Sequence, residues 1–422
     1  MGLRNKNEKS GVEPMMEEKS RQSMPLEGIR ILEYAIYHAG PGCGAILGDL
    51  GADVIKIETG EGDPERGWKG IDGNVQFILP NDESLMFHVS NRNKRGICLD
   101  LRKENGRAAF LKLIEKTDVF LTNLRHDTKL KLGLDYRTLS RVNPRLIHAN
   151  VTGYGPEGPL KNLGAYDPAG QARSGMMYAS GSKEPTLMHL AVLDQATAIA
   201  ASHAILTALF VRERRGIGQE VHVSLFSTAL WLLHSNLTVA GVLGVDPGLP
   251  WDRTKNSPLR NCFRCKGGDW IMGVHHPEKN WWAIFCEATG LTRLLDDPRY
   301  STPDGRQERC AELVGIFDEV FMTKTRDEWI EIFQAREMMF SPVQNIYEVL
   351  GDIQALANRY LVEAEVGGIG KVKIPGYPIH FSACSAGTRS MGPGIGEHTD
   401  GILKELGYSE AEIAAVKEEA AS

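Results

Sequence analysis

One aspartate in the middle of the chain has the surroundings of a reactive carboxylate. Asp194 follows the apolar stretch 189–193 and begins a segment rich in small residues that is predicted to be helical. An Asp at a helix start commonly acts as an N-cap, because its carboxylate accepts a backbone N–H and favours the helix dipole. A carboxylate that apolar neighbours partly desolvate can also act as a nucleophile. The residue types around Asp194 leave both roles open.

A glycine-rich segment after the first predicted strand has the pattern of a nucleotide-binding turn. Residues 40–45, GPGCGA, match G-x-G-x-x-A, and Glu58 ends the next predicted strand, where dinucleotide-binding folds place a ribose-binding acid. However, six residues (34–39) separate the strand end from Gly40, and Pro41 has no N–H to offer a pyrophosphate. The pattern therefore argues against a nicotinamide cofactor. A loop of small residues that lets another ligand approach the following helix start is predicted instead.

A third group has the residue types of a zinc site. Cys262 and Cys265 have C-x-x-C spacing, and His275 and His276 follow. Zinc fingers separate their two histidines by about three to five residues, and adjacent histidines rarely bind one ion. The two cysteines are therefore predicted to be buried as small apolar side chains, and no metal site is expected.

The composition is that of a globular chain long enough for two domains. The 422 residues are 42% hydrophobic and 24% charged, which excludes a disordered, collagen-like or disulfide-framework protein. Lys and Arg number 48 against 54 Asp and Glu, so the net charge is −6 and nucleic acid is not expected as a partner. Seven scattered cysteines fit a reducing compartment, and a cytoplasmic location is predicted.

Neither an export signal nor a membrane span is expected. Residues 1–24 mix both charges without an apolar region, so they are predicted to form a flexible leader. The longest apolar run, 225–245, has about the length of a membrane-crossing helix but contains Ser, Thr, His and Asn residues. It is therefore predicted to be a buried helix.

The elements that must position these residues alternate between strand and helix in the first half of the chain. Strands are predicted at 28–34, 52–58, 95–101, 118–123, 146–155 and 219–226, and helices at 45–50, 104–116, 136–142 and 194–215. This alternation predicts an α/β fold with a mostly parallel sheet covered by helices. Beyond residue 241 a loop rich in Pro, Gly and Asn precedes shorter elements, which predicts a second domain. The predicted divisions are a leader (1–24), the N-terminal part of a large domain (25–226), a linker helix and loop (227–250), a small domain (251–338), and a return linker with the C-terminal part of the large domain (339–422).

Several sequence blocks together resemble the family III CoA-transferases, the group of formyl-CoA, carnitine and phenyllactate CoA-transferases. They are AGPGCGAILGDLGADVIKIETGEGDPERGW (39–68), NRNKRGICLDLRKENGRAAF (91–110), DVFLTNLRHDTKLKLGLDY (118–136), NPRLIHANVTGYGPEGP (143–159), GIGQEVHVSLF (216–226) and GEHTDGILKELGY (396–408). The resemblance runs from about residue 25 to 407 and is closest in style to the phenyllactate type. It implies a doubly wound, Rossmann-like large domain, a smaller α+β domain, and a dimer of two chains interlocked as rings.

The resemblance also implies a set of site residues. The family's nucleophile corresponds to Asp194, a polar residue of its first turn to His38, and a Tyr–acid pair beside the nucleophile to Tyr166 and Asp167. Most members have Gly before the nucleophile, where this chain has Leu193. The segments that line the family's CoA channel correspond to Ala39, Leu99, Asp100, Leu101, Arg102, Asn123, Leu124, Arg125, Lys131, Leu163, Gly164 and Ala165.

The implied activity is transfer of CoA from an acyl-CoA thioester to a free carboxylic acid. Asp194 is expected to form a mixed anhydride and then an aspartyl-CoA thioester, with oxyanions stabilised by backbone N–H groups at the helix start. CoA enters only as the substrate thioester, and no metal or redox cofactor is expected. Basic residues expected to reach the CoA phosphates are Arg92, Lys94, Arg95, Arg102, Arg125 and Lys131. An aromatic or dicarboxylic acid is the expected substrate, and candidates for its pocket are Trp251, Phe263, Trp270, Trp281 and Trp282.

Three alternatives stay open. The α-methylacyl-CoA racemases share the fold and the Asp, but they use a His immediately before the acid as a second base. Tyr166 stands there and, with an ordinary pKa near ~10, is a poor base at neutral pH, which leaves His38 as the other candidate base. Some relatives are non-catalytic subunits of heteromeric CoA-transferases, so the partner is either a second copy or a paralogous subunit. A nicotinamide-dependent dehydrogenase is the third alternative.

Overall fold

The structure, a computed structural model, describes residues 23–71, 75–179, 181–247, 251–255 and 257–421. Most of the predicted leader (1–24) and the end of the predicted linker (248–250) lie outside the described residues. The chain divides into two units. The larger unit holds the residues up to 170 together with 189–231 and 363–422, and the smaller unit holds 171–188 and 232–362.

The strands and helices have the following bounds. The strands are β1 (Arg30–Tyr34), β2 (Asp53–Glu58), β3 (Gly70–Ile71), β4 (Val75–Gln76), β5 (Lys94–Cys98), β6 (Val119–Thr122), β7 (Ile147–Thr152), β8 (Gln219–Ser224), β9 (Cys262–Arg264), β10 (Trp270–Gly273), β11 (Phe340–Val343), β12 (Leu361–Val366) and β13 (Gly370–Pro375). The helices are α1 (Ala39–Asp49), α2 (Leu85–Asn91), α3 (Glu104–Glu115), α4 (His126–Lys131), α5 (Tyr136–Val142), α6 (Asp167–Ser174), α7 (Met176–Ala179), α8 (Val192–Arg215), α9 (Leu225–Leu232), α10 (His234–Leu243), α11 (Trp282–Thr289), α12 (Pro303–Glu308), α13 (Cys310–Phe321), α14 (Arg326–Gln334), α15 (Ile346–Val349), α16 (Ile353–Ala357), α17 (Thr399–Glu405) and α18 (Glu410–Ala421).

A six-stranded parallel sheet is the centre of the larger unit. Its strand order is β5-β2-β1-β6-β7-β8, with Leu32 of β1 opposite Ile55 of β2 and Phe120 of β6. One face shares a hydrophobic core with α3, α5, α17 and α18, and α1 packs along α8. The predicted doubly wound α/β fold is therefore confirmed. Because the strand order reverses between β1 and β6, a ligand crevice is expected at the carboxyl ends of these two strands.

The glycine-rich segment is helical, so the prediction of a loop at 40–45 is wrong. Helix α1 begins at Ala39, six residues before the predicted start at 45, and all of its residues are buried. A Cβ at Gly40 would lie 2.9 Å from the Ala35 Cβ, and one at Gly42 would lie 3.2 Å from the Ala198 Cβ of α8. These glycines therefore let α1 approach its neighbours closely, and they do not form a phosphate-binding turn.

A buried ionic cluster lies between α1 and the sheet. The Lys94 Nζ lies 2.8 Å from both carboxylate oxygens of Glu33 and donates to a backbone carbonyl of α1. The Lys56 Nζ donates to Asp63 Oδ2 and to a carbonyl in the turn after β1, each at 2.8 Å. All four charged side chains are fully buried. Breaking such a pair leaves an unpaired charge in the interior, at a cost of about 3–5 kcal/mol.

The apolar run at 225–245 does not form the predicted buried helix. It forms α9 and α10, which are bent by 71° with respect to each other, and α10 has no buried residue. Trp231 and Val242 are each 75% exposed. By length and hydropathy alone α8 is sufficient to cross a membrane, but it lies against α1 and β8 in the larger unit, and core helices also reach this length.

The smaller unit is built around an aromatic core. A three-stranded antiparallel sheet, β11-β10-β9, accompanies helices α11 to α14. Phe263 stacks on Phe321 at 4.5 Å, and Trp282 is buried in the same core. Cys265 is buried as predicted and Cys262 is half-buried. Within the described residues no group of His, Cys, Asp and Glu could hold a metal ion.

We expect Gly44 in α1 to tolerate no side chain. A Cβ at Gly44 would overlap Glu33 Oε2 and force this carboxylate away from two buried ammonium groups. Gly44→Ala should therefore lower the free energy of unfolding by about 3 kcal/mol. Gly401→Ala in α17 is the matched control, because nothing lies within 4 Å of the added Cβ and Ala is favoured over Gly in a helix by about 0.5–1 kcal/mol. Equal urea midpoints for the two variants would contradict this explanation.

Candidate active site

A cavity of about 460 Å³ in the larger unit is lined by residues that follow the carboxyl ends of β1, β6 and β7. It brings together ten of the residues that the sequence predicts for the site. They are His38, Ala39, Asn123, Leu124, Arg125, Leu163, Gly164, Ala165, Tyr166 and Asp194. Sequence reasoning missed other lining residues, which are Ile36, Tyr37, Thr128, Val151, Thr152, Gly153, Lys161 and Leu225. Tyr37, Thr128 and Lys161 stand within three residues of predicted ones, whereas Leu225 has no signal of its own.

A second cavity, of about 770 Å³, lies at the carboxyl ends of β1, β2 and β5. Tyr34, Thr59, Asp100, Leu101 and Arg102 line it together with residues near the C-terminus. Three predicted CoA contacts, Asp100 to Arg102, therefore lie in a cavity other than the one that holds Asp194. Two further predicted contacts line neither cavity. Leu99 is fully buried in the hydrophobic core, and Lys131 is exposed on α4.

Asp194 is not the N-cap of its helix. Helix α8 begins at Val192, so Asp194 is its third residue, and Ala191 occupies the N-cap position with a left-handed φ of 57°. The capping carboxylate comes from Asp167, whose Oδ2 accepts the Leu193 N–H at 2.6 Å and the Asp194 N–H at 3.0 Å. The Asp194 carboxylate thus remains unused by the helix and faces the cavity.

Burial makes Asp194 an unusually weak acid. Loss of solvent raises its pKa to about 7, with a smaller contribution from the negative charge of Asp167. The carboxyl group therefore changes its charge near neutral pH. Leu193, which directly precedes the reactive carboxylate candidate, is fully buried. Gly170 makes room for it, since a Cβ at Gly170 would lie 2.6 Å from Leu193 Cδ2.

His38 is a buried side chain with both ring nitrogens engaged. Its Nδ1 lies 2.8 Å from Ser90 Oγ and its Nε2 lies 2.9 Å from Gln195 Oε1. Burial lowers the pKa of His38, and the contact with Gln195 opposes this only in part. The ring is therefore neutral near pH 7, with little freedom to act as a base.

Two tyrosines form part of the wall of the Asp194 cavity. The Tyr37 and Tyr166 rings are perpendicular with centroids 5.3 Å apart. Tyr37 has a left-handed φ of 58°, and its backbone N–H donates to Asp63 Oδ1 at 3.1 Å. The hydrogen bond with Tyr166 and burial raise the pKa of Tyr37 to about 12. Tyr37 is thus a neutral phenol near pH 7.

Only some of the predicted phosphate-binding cations are available to a ligand. Arg92 pairs with Asp49, Lys94 with Glu33, and Arg95 with Asp53 and Glu405. The side chain of Lys94 is fully buried, so the prediction that Lys94 reaches a phosphate is wrong, whereas for Arg92 and Arg95 this role stays a prediction. Arg102 holds Asp100 through two hydrogen bonds and still has a side chain that is 75% exposed. Arg125 and Lys161 line the Asp194 cavity and form no ion pair with any residue the structure describes.

The carboxyl group of Asp194 is expected to titrate near pH 7. Carbon-13 NMR of Asp-labelled protein, assigned with Asp194→Asn, measures this pKa directly. Asp167→Asn should lower it, because the amide oxygen keeps both backbone hydrogen bonds while the negative charge disappears. In the unfolded chain Asp194 has the ordinary, lower pKa of an exposed carboxyl group. Ionisation of Asp194 in the folded protein therefore lowers the free energy of unfolding as pH rises toward 7. Asp194→Asn should therefore raise the Tm more at neutral than at acidic pH.

An Asp194 pKa near ~4, or no effect of Asp167→Asn on it, would contradict the burial and charge assigned to this site.

Comparison with known proteins identifies the group to which the site belongs. A family model described as CoA-transferase family III matches residues 26–399. The chain is 31% identical to succinyl-CoA:glutarate CoA-transferase of Mus musculus, over 92% of this chain and 88% of that protein. It is 30% identical to cinnamoyl-CoA:phenyllactate CoA-transferase of Clostridium sporogenes, over 93% of this chain and 96% of that protein. A solved structure of a CAIB/BAIF family protein from Brucella suis has a TM-score of 0.79 at 28% identity, and covers 91% of this chain and 100% of that chain.

Proposed function

The chain belongs to CoA-transferase family III, and we propose that it moves CoA from an acyl-CoA thioester to a free carboxylic acid with Asp194 as the nucleophile. The observation that carries this proposal is the Asp194 carboxylate itself. It lines the cavity, is released from helix capping by Asp167, and has a pKa raised to about 7. A more basic carboxylate is a stronger nucleophile, and near pH 7 about half of it is ionised.

Carbonyl additions and eliminations account for the whole reaction. A carboxylate oxygen of Asp194 attacks the thioester carbonyl, and the CoA thiolate leaves to give a mixed anhydride. The thiolate then attacks the Asp194 carbonyl carbon, which releases the first acid as its carboxylate and forms an aspartyl-CoA thioester. The second carboxylate displaces the thiolate to form a new anhydride. The thiolate finally attacks the new acyl carbonyl and releases the Asp194 carboxylate, so no proton is gained or lost.

Two tyrosine side chains are candidate donors for the oxyanions. The expected backbone donors at the start of α8 are already occupied, because Asp167 accepts the N–H groups of Leu193 and Asp194. The tyrosine pair offers an alternative. When one hydroxyl of Tyr37 and Tyr166 donates to the other, the accepting hydroxyl keeps a free proton. We assign this proton to the oxyanion, since the pair lies in the wall of the same cavity.

The CoA thioester is assigned to both cavities. Asp100, Leu101 and Arg102 in the larger cavity and Arg125 and Lys161 in the smaller one lie at the carboxyl edge of the same sheet. We assign the nucleotide end to the cavity of Arg102 and the thioester to that of Asp194. An aromatic or dicarboxylic acid remains our proposal for the acceptor. The relatives that act on glutarate and on phenyllactate represent these two classes.

A dimer of interlocked chains in the cytoplasm also remains our proposal. Large apolar side chains on α8 and α9 of the larger unit support a partner surface, because exposed apolar patches commonly mark interaction sites. They include Ile199, Phe210 and Trp231. The partner is either a second copy or a paralogous subunit.

Hydroxylamine should trap the activated carboxyl of Asp194. After incubation with succinyl-CoA, acetyl-CoA or cinnamoyl-CoA, mass spectrometry of the digested protein should find a hydroxamate on the peptide that contains Asp194. The donor that gives the most adduct identifies the acid class. Asp194→Asn should give no adduct and no transferase activity, whereas Asp167→Asn is the control that retains the nucleophile. An unmodified wild-type protein that still binds CoA would contradict the proposal, and deuterium exchange at the substrate α-carbon would then indicate an isomerase.

A further inference from the structure

An asparagine side chain continues the pairing of β1 and β6 after both strands have ended. Asn123 directly follows β6, and its amide binds the backbone of Ile36, which lies two residues beyond the end of β1. The Asn123 Oδ1 accepts the Ile36 N–H at 3.0 Å, and the Asn123 Nδ2 donates to the Ile36 carbonyl at 2.6 Å. A primary amide carries a donor and an acceptor side by side. This side chain therefore substitutes for the backbone of a neighbouring strand.

The two hydrogen bonds of the amide lie on two different peptide groups. The Ile36 N–H belongs to the peptide group between residues 35 and 36, whose carbonyl accepts a hydrogen bond from Lys56 Nζ at 2.8 Å. The Ile36 carbonyl belongs to the peptide group between residues 36 and 37, whose N–H donates to Asp63 Oδ1 at 3.1 Å. Both peptide groups are thus held at both ends, by the buried ionic cluster from the side of β2 and by Asn123 from the side of β6.

The held segment contains a backbone conformation that its own residue does not favour. Tyr37 has a left-handed φ of 58°, which a residue with a Cβ keeps only where its surroundings hold it. This angle is the rotation about the N–Cα bond of Tyr37, so it depends on the orientation of the rigid peptide group before that bond. Without the Asn123 amide this peptide group is held at its N–H alone, and it is free to turn toward an ordinary φ.

Packing against α1 fixes the position of the amide. A Cβ at Gly40 would lie 3.2 Å from Asn123 Cγ, which is closer than the distance that carbon atoms favour. The Asn123 side chain is therefore confined by α1 on one side and by the backbone of Ile36 on the other. A confined side chain has already lost its rotational freedom, so both hydrogen bonds form at little further entropic cost.

We propose that Asn123 is a positioning residue that holds the two peptide groups before Tyr37 and thereby keeps the phenol of this residue in the wall of the Asp194 cavity. Tyr37 lines this cavity, and its ring is perpendicular to that of Tyr166 with centroids 5.3 Å apart. The effect of Asn123 on catalysis rests on the function proposed above, in which this tyrosine pair donates to the oxyanion. The conformation of Tyr37 itself is a property of the protein without substrate.

Fluorine-19 NMR of the full-length protein labelled with 3-fluorotyrosine tests the positioning without any reaction. Tyr37→Phe assigns the Tyr37 signal. Asn123→Leu removes both hydrogen bonds and should shift or split this signal, because Tyr37 then leaves its left-handed conformation. Asn123→Asp keeps the shape of the side chain and an acceptor for the Ile36 N–H, but its carboxylate has no donor for the Ile36 carbonyl. It should therefore have the same effect, and it replaces Asn123→Leu if that variant does not fold.

Asn143→Leu is the matched control. Asn143 also binds the backbone, since its Nδ2 donates to two carbonyls at the end of α3 and just after it, at 3.0 and 2.8 Å, and its Oδ1 accepts an N–H at 3.1 Å. It lies outside the lining of the Asp194 cavity. We expect Asn143→Leu to lower the Tm as Asn123→Leu does and to leave the Tyr37 signal unchanged. A Tyr37 signal that is the same in wild type and in both Asn123 variants would overturn the proposal.

The kinetic constants separate positioning from CoA binding. Asn123→Leu should lower kcat about tenfold, which corresponds to the loss of one hydrogen bond to the transition state, with little change in the KM for the acyl-CoA. A side chain that binds CoA itself would act mainly on KM. In the Tyr37→Phe background Asn123→Leu should cause no further loss of kcat, because both changes remove the same donor. A raised KM with an unchanged kcat, or additive losses of kcat, would overturn the proposal.

Hydroxylamine trapping on the same samples distinguishes this proposal from the proposed function. Asn123→Leu leaves the nucleophile in place, so it should still form the hydroxamate at Asp194, at a lower rate. A wild-type protein without the hydroxamate would contradict the nucleophile, whereas the Tyr37 signal decides by itself whether Asn123 positions the phenol.

Discussion

The buried ion cluster between α1 and the sheet is the constraint that positions the segment between β1 and α1, which carries Tyr37 and His38 of the candidate site. Lys56 and Lys94 are held between Glu33 and Asp63 without contact with water, and both also bind backbone carbonyls, at Ala35 in the turn after β1 and at Pro41 in α1. Asp63 in turn accepts the backbone N–H of Tyr37 and holds this residue in a left-handed conformation that costs about 1–2 kcal/mol. The buried ion cluster thus fixes the end of β1, the start of α1, and the positions of Tyr37 and His38 between them.

The surroundings of the Asp194 carboxylate destabilise the folded protein and, under the proposed mechanism, make this carboxylate more reactive. A helix start would normally use an aspartate in its first turn, but Asp167 supplies that carboxylate and leaves Asp194 to the cavity. The loss of solvent, with a smaller contribution from the negative charge of Asp167, then raises the pKa of Asp194 to about 7. An ionised carboxylate in such a place is unfavourable for folding, and under the proposed mechanism the same destabilisation makes it a better nucleophile. Functional sites commonly hold local strain or unfavourable charge that the rest of the fold compensates.

Many residues that line the cavity were indicated by the sequence, and the predictions that differ from the structure do so for physical reasons. Family motifs indicated Asp194, His38 and Tyr166, and these three residues line one cavity. The helical start at Ala39 was missed because glycine and proline disfavour helices locally, whereas here Gly40 and Gly42 allow close packing against Ala35 and Ala198. The cations Arg92, Lys94 and Arg95 were assigned to phosphates by charge alone, yet each has a carboxylate partner distant in sequence.

The sequence by itself determined the order of strands and helices, because hydrophobic periodicity is a local property, and it determined the residue types available for chemistry. It also marked Asp194 through the family's pattern. The tertiary structure alone decided that Asp167 caps α8 and that burial raises the pKa of Asp194 to about 7. The physical reason is that ionisation and hydrogen bonding depend on burial and on distances between groups far apart in the chain. A linear pattern lists these groups, but only folding sets how close they lie and how much water remains between them.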